Sequence, residues 1–73
     1  MVGHSTIATG TITKYYPEAE NGFITTEDGE VVYFARNDIK RSDFSIREGR
    51  TVTFRKQAQV GLKPRAREID IVG

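Results

Sequence analysis

The sequence contains no cysteine and no tryptophan, and only one histidine, one methionine and two prolines in 73 residues. Without cysteine, neither a disulfide scaffold nor a thiolate metal site can staple the chain. His4 alone cannot build a zinc site. No apolar run approaches the about 20 residues that a membrane-spanning helix needs. The start, from Met1 to Thr6, has neither a basic end nor an apolar stretch, so no secretory signal is expected. Catalytic sets are missing too: there is no Ser-His-Asp arrangement, no nucleotide-binding glycine loop and no suitable carboxylate pair. The composition predicts a soluble cytoplasmic module that is not an enzyme, with no small-molecule cofactor and no membrane partner. A monomer is favoured.

At this length there is room for one domain, and only about 60% of the unfolded surface of so short a chain is buried on folding. Net charge is +1, from 11 basic and 10 acidic residues, but the charge is unevenly spread. Residues 1–35 carry Lys14 against Glu18, Glu20, Glu27, Asp28 and Glu30. Residues 36–73 carry ten basic and five acidic side chains. Such asymmetry fits an anionic partner. It also fits two halves that attract one another through solvated faces.

Thr, Ile, Val, Tyr and Phe recur in short runs separated by turn residues, and no helical period is sustained. The runs predict five strands, at 6–16, 22–26, 31–36, 51–55 and 65–72. Asp28-Gly29 marks a hairpin turn between the second and third. A single helical turn is expected at 37–41, a long loop up to Gly49, and a second loop at 57–63 closed by Pro64. An open sheet of this size would expose costly edges, so a small closed or partly closed barrel is expected. Residues 1–5 are expected to form a flexible N-terminus and residues 6–73 the barrel.

Alternation assigns the faces. Val32 and Phe34 point inward, which leaves Tyr33 outside, and Ile24 inside leaves Phe23 outside. Two adjacent outward aromatics on paired strands form a platform rather than scattered exposure, and Tyr15 with Thr13 is expected to join it. The first strand is ambiguous, because Ile12 inside puts Lys14 on the same face unless a bulge intervenes. Phe23 and Tyr33 also fit ordinary barrel packing or a self-association face.

Gly10-Thr11-Ile12, Gly22-Phe23-Ile24-Thr25, Asp28-Gly29, Val32-Tyr33-Phe34 and Ile39 stand in the order and spacing of the bacterial cold-shock domain. That pattern runs G-T-V-K-W-F-N, K-G-F-G-F-I-T, a D-G turn, then V-F-V-H-F-S-A-I. Glu48-Gly49-Arg50-Thr51-Val52-Thr53-Phe54 resembles its E-G-Q-x-V-x-F, and residues 63–69 resemble its G-P-x-A-x-N-V. The resemblance spans about residues 8–72, with length changes at 40–46 and 56–63. It implies an all-β, five-stranded antiparallel oligonucleotide-binding (OB-fold) barrel that binds single-stranded RNA or DNA.

In that family bases stack on aromatics of the first three strands, at roughly 1–3 kcal/mol per base. Here the platform is altered. Lys14 replaces a Trp, Tyr15 a Phe, Asn21 a Phe, Tyr33 a Phe, Ala35 a His and Arg36 a Phe, while Phe23 is kept. Ala19 and Glu20 replace the Lys-Gly of the first ribonucleoprotein motif. Phe44 is the counterpart of a loop aromatic.

The resemblance and the charges together nominate Lys14, Tyr15, Phe23, Tyr33, Arg36, Phe44, Lys56, Lys63 and Arg65 as the nucleic-acid-binding residues. Arg36 can stack its guanidinium plane on a base. Lys56, Lys63 and Arg65 belong to the basic second half, which supplies phosphate contacts. Glu18 and Glu20 would repel phosphate. The expected function is sequence-tolerant single-strand binding, with RNA chaperoning as one form of it. Two alternatives stand beside it. One is a barrel that has lost nucleic acid and uses its aromatic patch for protein partners. The other is a translation-factor-like barrel that binds structured RNA.

Overall fold

The computed structural model describes residues 7–40 and 46–72. Residues 1–5, expected to form the N-terminus, and Phe44 lie outside the described residues. Five strands form: β1 (Ile7–Tyr16), β2 (Asn21–Thr26), β3 (Val31–Ala35), β4 (Thr51–Gln59) and β5 (Leu62–Ile71). A one-turn 3-10 helix, Arg36–Asp38, follows β3. The strands close into a barrel in the order β1-β2-β3-β5-β4.

The all-β, five-stranded barrel agrees with the sequence reading, and its form is OB-fold-like. Its wholly antiparallel character does not hold. β3 and β5 pair in parallel at Tyr33 and Arg65, with a second parallel bridge between Ile39 and Ile69. The reason is parity. Strands that alternate in direction around a closed ring of five must meet once in the same direction.

Alternation along each strand builds the core. Ile12, Ile24, Val32, Phe34, Val52, Phe54, Ala66 and Ile69 are buried. Burying one side chain such as Phe34 or Phe54 contributes about 1.5–3 kcal/mol. Gly22 is required by close approach rather than by a turn. A Cβ there would come 2.1 Å from the Lys14 carbonyl oxygen and 2.9 Å from Phe34 Cε1.

The fourth and fifth strands are longer than the sequence suggests. Residues 57–63, expected to be a loop, pair as a hairpin down to Gln59 and Leu62. Val60 and Gly61 make its turn, with Gly61 at φ +73°, and Pro64 lies inside β5. At this tip Val60 is fully exposed and Leu62 is 70% exposed. No helix among the described residues is long and apolar enough to cross a membrane.

Candidate nucleic-acid interface

A bulge in β1 decides which side chains face outward. The β1–β2 register runs from Ile12 opposite Ile24 to Lys14 opposite Phe23, with Thr13 left over. Thr13 Oγ1 lies 2.9 Å from Thr25 Oγ1, and the Tyr15 N–H donates to Glu48 Oε2 at 3.3 Å. The extra residue keeps Ile12 in the core while turning Lys14 outward. This is the bulge the first strand required.

The same shift changes the place of Tyr15. Its half-buried ring lies parallel to that of Phe34, with centroids 6.1 Å apart and planes 6° apart. Tyr15 packs against the core instead of completing an outward trio with Phe23 and Tyr33. Lys14 takes the position beside Phe23.

Across the outer surface the ladder then sets a row: Lys14, Phe23, Tyr33, Arg65. Phe23 and Tyr33 meet edge to face, with centroids 6.1 Å apart and an interplanar angle of 66°. Arg65 holds its guanidinium carbon 5.6 Å from the Tyr33 centroid, an arrangement worth about 0.5–1 kcal/mol at an exposed site. The β4–β5 hairpin rises beside this row. Between them lies a cleft of about 430 Å³, lined by Phe23, Tyr33, Gln59, Leu62, Lys63 and Arg65. Gln59 Nε2 donates to the Lys63 carbonyl at 2.8 Å, which ties the hairpin tip across its own turn.

The expected cations divide into distinct groups. Lys14 and Lys63 have no carboxylate within ion-pair distance among the described residues. Arg36 lies just past the end of β3, 4.0 Å from Glu20, whose carbonyl accepts the Arg36 N–H at 2.9 Å. Lys56 is drawn elsewhere. Its Nζ donates to Glu30 Oε1 at 2.7 Å, and it lines a separate cleft with Thr26, Glu27, Asp28 and Glu30. Hydrogen bonding and attraction to Glu30 hold the Lys56 ammonium above its ordinary range. In the same cleft, the Asp28 carboxyl is held below the usual carboxylate range. The Thr26 hydroxyl that donates to it is the first cause, and the Glu30 backbone N–H adds to it.

Arg65, nominated from the sequence as a phosphate contact, is paired with a carboxylate. Its Nε donates to Asp38 Oδ2 at 3.0 Å, and Arg67 Nε lies 3.3 Å from Asp38 Oδ1. Asp38 is 4% exposed and also accepts the Ala35 N–H at 2.9 Å. The carboxylate is buried while both arginines reach solvent, so loss of both guanidiniums would leave a buried charge without a counter-charge. Sequence reasoning passed over Asp38. Its arginines lie 27 and 29 residues further on and reach it only through the parallel β3–β5 contact.

Among the described residues, two other than glycine occupy the left-handed region. Glu20, at φ +58°, closes the β1–β2 turn, and Glu68, at φ +53°, sits in a β5 bulge with its carboxylate 2.9 Å from Arg55 Nε. Compared with known proteins, the chain matches no family model and no curated sequence.

Proposed function

We propose that the protein is a cold-shock-like barrel that binds single-stranded nucleic acid on its Lys14–Phe23–Tyr33–Arg65 row. The observation that carries this reading is the half-exposed Phe23–Tyr33 pair, facing a cleft and flanked by cations. Aromatic faces accept any base, and lysines at the border can reach the phosphates on either side. Such a site tolerates sequence and disfavours duplex, whose bases are already stacked.

Two backbone features support the kinship. The left-handed residues Glu20 and Glu68 stand where the cold-shock pattern has Gly and Asn, the residues best suited to that conformation. A second reading also has support. Leu62 continues the cleft onto the exposed tip at Val60, and an apolar extension of this kind suits a protein segment.

Fluorescence anisotropy with a labelled pyrimidine heptamer, as RNA and as DNA, tests the proposal at low salt. Saturable binding of single strands, at least about tenfold tighter than of the matching duplex, is expected. No anisotropy change at ~1 mM protein would reject nucleic acid as the ligand and favour a protein partner.

A further inference from the structure

Asp38 stands where the cold-shock pattern has alanine. It is buried, one oxygen faces each of two arginines, and the Ala35 N–H fixes its orientation. Of the two, Arg65 lies over Tyr33 at the end of the outward row, and Arg67 lies further along β5. The triad of one carboxylate and two guanidiniums keeps a net charge of +1, shared between two side chains.

We propose that Asp38 is a positioning residue for the single-strand face. It pins the Arg65 guanidinium against Tyr33 and commits its Nε to the carboxylate. Arg65 then widens the stacking surface without acting as a phosphate contact. Contact with phosphate falls to Lys14 and Lys63, the cations of the row and cleft that have no carboxylate partner among the described residues. This inference rests on the single-strand reading above. Its consequence is unusual for a face bordered by so many basic residues: binding depends only weakly on salt. Each phosphate contact to a single strand contributes about 0.7 to the slope of log K against log salt. Two contacts give a slope of about −1.4.

The experiment measures heptamer affinity from low to high salt for the parent and three variants, each checked for folding by circular dichroism. Asp38→Asn keeps an acceptor for the Ala35 N–H but removes the charge. It is expected to steepen the slope by about 0.7–1.4, as one or both guanidiniums become free for phosphate. Arg65→Gln is expected to lose about fivefold or more in affinity with the slope unchanged. Lys63→Gln is expected to flatten the slope by about 0.7. A purely structural carboxylate would leave the slope of folded Asp38→Asn at the parent value, which overturns the proposal. If Asp38→Asn does not fold, Arg65→Gln decides, and a slope flattened as much as in Lys63→Gln overturns the proposal. A parent protein that binds no strand at any salt overturns the single-strand reading itself, and the role of Asp38 with it.

Discussion

Lys14 stands directly across the ladder from Phe23, one step beyond the Thr13 bulge. Had β1 run without the bulge, Lys14 would share the inward face with Ile12, and its ammonium would need burial at a cost no nearby group offsets. The bulge resolves that conflict and puts a cation at the edge of an aromatic pair. A phosphate next to a base stacked on Phe23 would fall within its reach.

The aromatic pair is the first place to cut. Phe23→Ala with Tyr33→Ala removes two stacking partners worth about 1–3 kcal/mol each, so affinity should fall at least about thirtyfold. Both rings are outside the buried core, so the double variant should keep the parent's far-ultraviolet spectrum. Anisotropy titration reads the affinity, and an unchanged value would rule out stacking on this face.

The β1–β2 turn offers a stabilising change. Glu20 holds φ +58°, a conformation that costs a non-glycine residue about 1–2 kcal/mol. Glycine adopts it freely but has more entropy to lose, by about 0.5–1 kcal/mol. Glu20→Gly should therefore raise stability by about 0.5–1 kcal/mol, measured as a higher urea midpoint. It also removes the carboxylate 4.0 Å from Arg36, so strand binding at low salt should tighten.

Gly22 allows no such exchange. An added Cβ would meet the Lys14 carbonyl oxygen at 2.1 Å and the Phe34 ring at 2.9 Å. Gly22→Ala must push β1 away from β2 and disturb the Tyr15–Phe34 stack. Overpacking of this kind costs about 1–3 kcal/mol or more. Urea unfolding should show the loss, and near-ultraviolet circular dichroism should show the disturbed tyrosine.

The acidic cleft around Lys56 gives the pH dependence. Asp28 is lowered in the folded state, chiefly by the Thr26 hydroxyl. Its contribution is therefore present above the unfolded value of about 3.9 and is lost as pH falls through the lower folded value. Lys56 is raised by Glu30. Its contribution is full below the unfolded value of about 10.4 and is lost as pH rises through the higher folded value. Thr26→Val should flatten the acid limb of the stability profile and leave the alkaline limb unchanged. Melting temperatures of the parent and the variant across the acid and the alkaline limbs test this.

How far the sequence reveals such features depends on how local their causes are. Val32 and Phe34 inward with Tyr33 outward follows from strict alternation within one strand. The Ile12–Lys14 conflict is visible in three consecutive residues, so the need for a bulge can be read before any pairing is known. The place of Tyr15 cannot, because it depends on which residue the bulge omits from the ladder and on the close approach of β1 and Phe34 to Gly22. Gly61 and Pro64 read as loop residues, yet they sit in an extended hairpin. Gly61 supplies its turn, and Pro64 is accommodated within the projecting arm. Asp38 is the most distant case. Its one local partner, the Ala35 N–H, leaves its charge unbalanced, and its charged partners arrive only when β5 closes the barrel against β3.

The central claim is that the Phe23–Tyr33 face holds the strand, and an amide-shift titration with the pyrimidine heptamer at low salt tests it most directly. Shifts concentrated at Lys14, Phe23, Tyr33, Leu62 and Lys63 are expected, with Glu30 and Lys56 unmoved. Shifts confined to the Glu30–Lys56 side, or none at saturating strand, would contradict it.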